Sequence, residues 1–203
     1  MTDGSPASND GYGREADALA IQYESVTFED VHRPVLHLVP NGPGRALDIG
    51  AGTGRDAAAL AVRGFAVTAV EPTAELRAHG ERLHAASRIN WIDDGLPGLA
   101  ALAARAGRFD LIFLTAVWMH LDAAERAIAM GRLADLAAAG GRVFMTLRHG
   151  PVPDGRRMFD VSAAETIAFA AGHGFRPIHQ SSSPDMLGRP DVSWTYLVLA
   201  AAG

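Results

Sequence analysis

Between Gly44 and Gly150 short apolar, partly β-branched runs recur with helix-like stretches between most of them. The runs read "RALDIG", "FAVTAVEP", "INWID", "FDLIFLTAVW" and "GRVFMTLRHG". Strands that alternate with amphipathic helices predict a parallel sheet covered on both faces. Beyond Gly150 the pattern changes. A helical segment, "SAAETIAFAAGHG", in which Ser162 and Glu165 have the spacing of a capping box, leads to "FRPIHQSS", a loop containing Pro and Gly, and "SWTYLVLAA". Two strands joined without a helix predict antiparallel neighbours. The expectation is an α/β chain of three layers, with a mostly parallel seven-stranded sheet and an antiparallel last strand.

Ahead of the first strand the pattern is weaker. Residues 1–13 are rich in Gly, Ser, Asn and Asp and lack periodic apolar positions, which predicts a disordered tail. In residues 14–40, Leu19, Tyr23, Val31 and Leu38 can face a core from helical turns, and Pro34 must start or kink the second of these segments. A helical N-terminal arm therefore precedes the sheet, and residues 14–203 are expected to form a single domain. The length of 203 residues and a hydrophobic fraction of 48% agree with that.

Charge and inventory narrow the function classes. A formal net charge of −5 offers no general attraction to nucleic acid or to anionic membrane. There are no cysteines, so disulfides, thiolate metal sites and a cysteine nucleophile are excluded. The start of the chain lacks the basic and apolar segments of a secretion leader, and no apolar run approaches the roughly 18 residues of a membrane span. A soluble, cytoplasmic protein is the expectation.

The chemistry centres on "ALDIGAGTGRDAAALA", a strand, a glycine turn and a helix start. Gly50, Gly52 and Gly54 read G-x-G-x-G, and Arg55 stands where a dinucleotide fingerprint needs its third glycine. No Gly-Lys-Ser/Thr follows, so a P-loop is excluded. The loop, with Ala51 between its glycines, lets backbone approach a bulky ligand but dedicates no lysine to a phosphate. Glu71, beside Pro72 at the end of the second strand, is placed to accept hydrogen bonds from both hydroxyls of a ribose. Asp48 lies within an apolar strand, where an unpaired carboxylate is costly.

In order, "LDIGAGTGRDAAALA", "VTAVEPT", "WIDDGLPGL" and "FDLIFLTAVWMHL" resemble the motif series of class I S-adenosylmethionine-dependent methyltransferases over most of Arg45 to Gly150. The resemblance implies a Rossmann-like sandwich with a reversed last strand, and S-adenosylmethionine as methyl donor, leaving S-adenosylhomocysteine. It assigns Glu71 to ribose and Asp48 to the glycine loop and the cofactor's amino-acid end; pairing of Asp48 with local backbone or Arg55 is the other reading. It directs an acceptor carboxylate at the adenine amino group, with Asp93 favoured over Asp94, whereas Asp also serves well as a helix cap. Thr115, Trp118, Met119 and His120, just past the fourth strand, should line the crevice near the cofactor's methionine end. "TAVW" is not the Asn/Asp-Pro-Pro-aromatic motif of relatives that methylate adenine or glutamine amino groups. The lack of cysteine likewise excludes cytosine C5 and arsenic methylation.

Methyl transfer is an in-line displacement from a sulfonium, so the protein supplies alignment, a dry site and, for a protonated nucleophile, a base. His120 is the leading candidate base and His149 the second. Arg148, Arg156 and Arg157 flank a Pro/Gly loop; either they are solvated loop charges or one of them, with Arg148 the candidate, orients an acidic small-molecule acceptor. Tyr23 and Phe28 either form a lid over cofactor and acceptor or simply pack the arm on the sheet. His32, His37, His79, His84, His173 and His179 read as surface or packing histidines, and no spacing among them makes a metal site. Two other functions stay open: a non-catalytic S-adenosylmethionine-binding sensor and an NAD-dependent oxidoreductase.

Overall fold

A computed structural model describes residues 12–103 and 107–203. The strands are β1 (Gly44–Ile49), β2 (Phe65–Val70), β3 (Ile89–Ile92), β4 (Phe109–Thr115), β5 (Ala137–His149), β6 (Phe175–Pro184) and β7 (Ser193–Ala201). They lie in one sheet in the order β3-β2-β1-β4-β5-β7-β6. β1 to β5 are mutually parallel, and β7 runs antiparallel between β5 and β6. The order reverses beside β1, so a crevice opens at the carboxyl ends of β1 and β4.

Alternation along each strand divides the core in two. Leu47 and Ile49 of β1, Ile112 and Leu114 of β4, Val143 and Met145 of β5, and Leu197 and Leu199 of β7 belong to one buried cluster. The helices α5 (Ala100–Ala103), α6 (Ala123–Leu136) and α7 (Ala163–Ala171) contribute to the same cluster. Ala46, Leu111, Phe113, Phe144 and Val198 face the other way, against α3 (Arg55–Val62) and the arm. There the Phe113 and Phe144 rings stack with centroids 4.5 Å apart, an aromatic contact worth about 0.5–1.5 kcal/mol beyond its buried area.

Helix ends follow local chemistry. Asp122 and Glu125 form a reciprocal capping box at the start of α6, which the sequence reading did not single out. At α7 only half of the expected box exists. Ser162 Oγ accepts from the Glu165 backbone N–H at 3.1 Å, while the Glu165 carboxylate turns to Arg126 instead. A full positive charge outcompetes a neutral backbone donor.

The arm comprises α1 (Ala16–Glu24) and α2 (Phe28–Val31), whose cap Thr27 accepts from the Asp30 N–H. α1 lies against α4 (Ala74–Leu83), where Asp17 meets His79 at 2.7 Å and Glu24 meets His84 at 3.3 Å. Of the segment expected as a tail, residues 1–11 lie outside the described residues. Tyr12 and Gly13 belong to the fold: Gly13 opens a 3-10 turn to Glu15, and the Tyr12 ring is tucked against His120. Among the described residues no helix is long and apolar enough to cross a membrane.

Candidate active site

The crevice is a cavity of about 460 Å³, bounded by the carboxyl ends of β1, β2, β4 and β5 and roofed by α1. This lies within the roughly 300–1,000 Å³ typical of small-molecule sites. Its walls bring together Asp48, Gly50, Ala51, Gly52, Glu71, Pro72, Thr115, His120, Tyr23 and Arg148 from the residues expected by sequence.

At one end of the cavity the loop from β1 to α3 turns through Gly50, Gly52 and Gly54, all with positive φ. A side chain at Gly52 would start 3.3 Å from the Tyr23 ring, so glycine here keeps backbone and arm in close approach. Gly54 has a different task. A Cβ there would lie 2.7 Å from the Trp91 indole, and Gly54 packs the loop on β3 away from the cavity wall. Glu71 is almost wholly buried, yet both of its oxygens are engaged: Oε2 accepts from Gly52 N–H and Oε1 from Thr73 N–H, each at 2.8 Å. Burial pushes its pKa up, and the Thr73 N–H and side chain, the Gly52 N–H and Arg77 oppose the rise.

Beneath the loop lies a polar cluster. Asp56, in the first turn of α3, accepts from His32 Nε2–H at 2.7 Å, Thr115 Oγ–H at 2.7 Å and Arg55 Nε–H at 2.8 Å. Burial would raise its pKa, but His32, Arg55 and Thr115 together hold the carboxyl well below the usual range. Asp48 accepts from Ala57 N–H at 3.1 Å, and burial followed by the Asp56 charge pushes its pKa well up. Arg55 pairs with Asp56, and Asp48 pairs with backbone.

The other end is built around His120. Its Nδ1 lies 2.9 Å from the Arg157 carbonyl oxygen, which can only accept, so Nδ1 carries the proton. Nε2 is therefore the lone-pair nitrogen of the neutral ring and accepts from the Tyr12 hydroxyl at 3.0 Å. Arg157 reciprocates by donating to the His120 carbonyl at 2.8 Å, and it also binds Asp122 and Glu125. Burial, with the Arg156 and Arg157 charges, lowers the His120 pKa against the carbonyl hydrogen bond. The Arg156 guanidinium covers the Tyr12 ring at 4.0 Å.

Several expected residues stand elsewhere. Asp93 is exposed and bonds Arg77 at 2.9 Å, while Asp94 accepts from Gly95 and Leu102 N–H and braces α5; neither is on the cavity wall, which Gly95 and Leu96 form instead. Trp118 is fully buried in the core behind the site. Phe28 is also core, tilted against His32 and Phe113. His149 shares its sheet face with Leu147, opposite the cavity, and meets Thr195 Oγ at 2.8 Å. His32, read as a surface or packing histidine, is buried and bound to Asp56. Sequence reasoning also missed Tyr12, Asp56, Trp194 and Tyr196. Only Asp56 carried a local signal: it lies one helical turn before Leu60, on the inward face of α3.

The sequence profile of the methyltransferase-domain family matches residues 23–183. The chain belongs to the class I methyltransferase family. Solved structures place this methyltransferase in the same fold. The 1,6-didemethyltoxoflavin-N1-methyltransferase of Burkholderia thailandensis, solved with its acceptor and S-adenosylhomocysteine, is 18% identical with a TM-score of 0.65, over 100% of this chain and 94% of that one. A TehB-like S-adenosylmethionine-dependent methyltransferase from Corynebacterium glutamicum is 16% identical with a TM-score of 0.67, over 94% and 99%. The magnesium protoporphyrin IX methyltransferase of Synechocystis, solved with S-adenosylmethionine, is 15% identical with a TM-score of 0.63, over 95% and 80%. No curated protein matches the sequence.

Proposed function

We propose that this methyltransferase binds S-adenosylmethionine in the crevice and methylates an oxygen or nitrogen of a small-molecule acceptor. The observation that carries the reading is the buried Glu71 carboxylate on the cavity wall, fixed by two backbone N–H groups beside the Gly50–Gly52 turn. Each carboxylate oxygen accepts more than one hydrogen bond, so Glu71 retains lone pairs for a ribose diol. Pro72, Leu76 and Leu96 supply apolar surface for a purine, with Gly95 beside them. Asp93 and Asp94 act through the loop they brace. Asp48, Ala51 and Thr115 serve the amino-acid end, with Gly54 and Trp118 supporting from behind. When bound, S-adenosylmethionine supplies a methyl group on cationic sulfur whose departure needs no acid.

The chain's own chemistry is proton handling. His120 is neutral, its tautomer is set by Arg157, and its Nε2 lone pair points to Tyr12. The Tyr12 hydroxyl takes the acceptor's proton as it passes its own to His120 Nε2. Tyr23 packs the arm against the glycine loop, and Phe28 anchors that arm. His149, on the opposite face, has no part in this relay.

Isothermal titration with S-adenosylmethionine, S-adenosylhomocysteine and NAD tests the reading. Micromolar binding of the first two alone, abolished by Gly52→Val, is expected. Binding of NAD alone, or a Gly52→Val variant of undiminished affinity, refutes it. Binding without methyl transfer across an acceptor screen refutes the enzyme in favour of a sensor.

A further inference from the structure

Beyond the reaction relay the cavity continues over the end of β5 and β7. The register pairs Thr146 with Tyr196 and Arg148 with Trp194. Cross-strand partners share a face. These four side chains form one patch on the cavity side of the sheet, and all four line the cavity.

The patch has an uncompensated charge. Asp185, whose side chain is 1% exposed, is held by Arg189 through Nε and Nη2 at 3.0 and 2.6 Å and accepts from the Trp194 indole at 2.8 Å. Arg189 and Asp185 cancel, and in doing so they fix the Trp194 ring. Arg156 is paired with Glu15, and Asp154 stands exposed at the outer rim. Arg148 has no carboxylate partner among the described residues and donates only to the Gly150 carbonyl at 3.3 Å. The Tyr196 hydroxyl also has no hydrogen-bond partner among them. Two donors, one of them a guanidinium, thus stand beside an oriented indole, in the same cavity that Tyr12 and His120 line.

We propose that the acceptor is an aromatic carboxylic acid, its carboxylate held by Arg148 and the Tyr196 hydroxyl, its ring against Trp194, and its O–H or N–H directed at Tyr12 and His120. One guanidinium without a carboxylate partner among the described residues suits a monoanion better than the dianion of a phosphate monoester, and its planar fork matches a carboxylate. The indole surface favours a flat ring over an aliphatic chain. This inference rests on the methyltransferase reading.

The test measures binding to the protein saturated with S-adenosylhomocysteine. Probes are 3- and 4-hydroxybenzoate, 4-hydroxyphenylacetate and indole-3-carboxylate, each paired with its carboxamide, and phenyl phosphate. At least one carboxylate is expected to bind about tenfold or more tighter than its carboxamide, and tighter than phenyl phosphate. Arg148→Gln should erase that preference while leaving S-adenosylhomocysteine affinity unchanged, which also reports that the fold is intact. Arg148→Lys should restore only part of it, since a point charge lacks the fork. No carboxylate preference anywhere in the panel, a preference that survives Arg148→Gln, or tighter binding of phenyl phosphate overturns the proposal. Wild-type protein that fails to bind S-adenosylhomocysteine refutes the underlying methyltransferase reading instead.

Discussion

Replacing Glu71 by glutamine probes the loop and the ligand at once. In the folded protein the two carboxylate oxygens each accept a backbone N–H at 2.8 Å. A carboxamide keeps one acceptor oxygen and turns an NH2 group toward the other N–H, so one charge-assisted bond worth about 1.5–3 kcal/mol is replaced by a donor facing a donor. Part of this is recovered, because burial disfavours the carboxylate charge and a neutral amide escapes that penalty. The net loss should be about 1–3 kcal/mol, which lowers the thermal midpoint of a chain this size by roughly 2–12 °C. Binding suffers separately. The amide offers a single acceptor to two ribose hydroxyls, so affinity for S-adenosylhomocysteine should fall about 10- to 100-fold, or roughly 1.4–2.7 kcal/mol. Thermal unfolding without ligand and calorimetric titration separate the two effects. An unchanged midpoint would refute the bracing of the loop by Glu71. A lowered midpoint with unchanged affinity would refute the ribose contact and leave Glu71 as a brace alone.

Other consequences follow from the buried polar groups. His32→Ala deprives the Asp56 carboxylate of a partner deep in the fold and should cost about 3–5 kcal/mol in denaturant unfolding. Adding Asp56→Asn should then cost less than Asp56→Asn does alone, and strict additivity would refute the coupling. His120 should titrate below the ordinary 6.5 in an NMR pH series, and Tyr12→Phe should raise that midpoint by removing a hydrogen bond that only the neutral ring can accept. The sign follows directly. Between the lowered folded value and 6.5 the unfolded chain binds more protons, so stability rises with pH across that window and is lost as pH falls through it. A His120 midpoint at or above 6.5 would contradict the buried, neutral ring.

Much of the architecture was legible because it depends on periodicity. Short apolar runs, separated by helical segments, identify strands one to five, and the absence of a helix between the last two strands identifies their antiparallel pairing. The glycine loop and Glu71 were legible for a related reason: a close approach and a strand-end carboxylate lie at characteristic spacings. Face assignment was harder. His149 and Arg148 are adjacent on β5, and only the register against β7 decides which of them reaches the cavity. At the end of β3, Asp93 and Asp94 look equivalent as letters, yet Arg77 draws one outward and the backbone of α5 engages the other.

The sequence by itself thus determined the sheet, the order of its motifs and the glycine turn, because these arise from local conformational preference and short-range spacing. Only the tertiary structure decided which groups surround His120 and Asp56. Tyr12 and His120 are separated by 108 positions, His32 and Asp56 by 24, and Thr115 and Asp56 by 59. Tyr12 looks like tail until His120 is beside it, and Trp194 and Tyr196 look like ordinary strand residues until pairing with β5 turns them toward the cavity. Their chemistry comes from burial and from partners brought close by the fold, and neither is encoded in the residues flanking them.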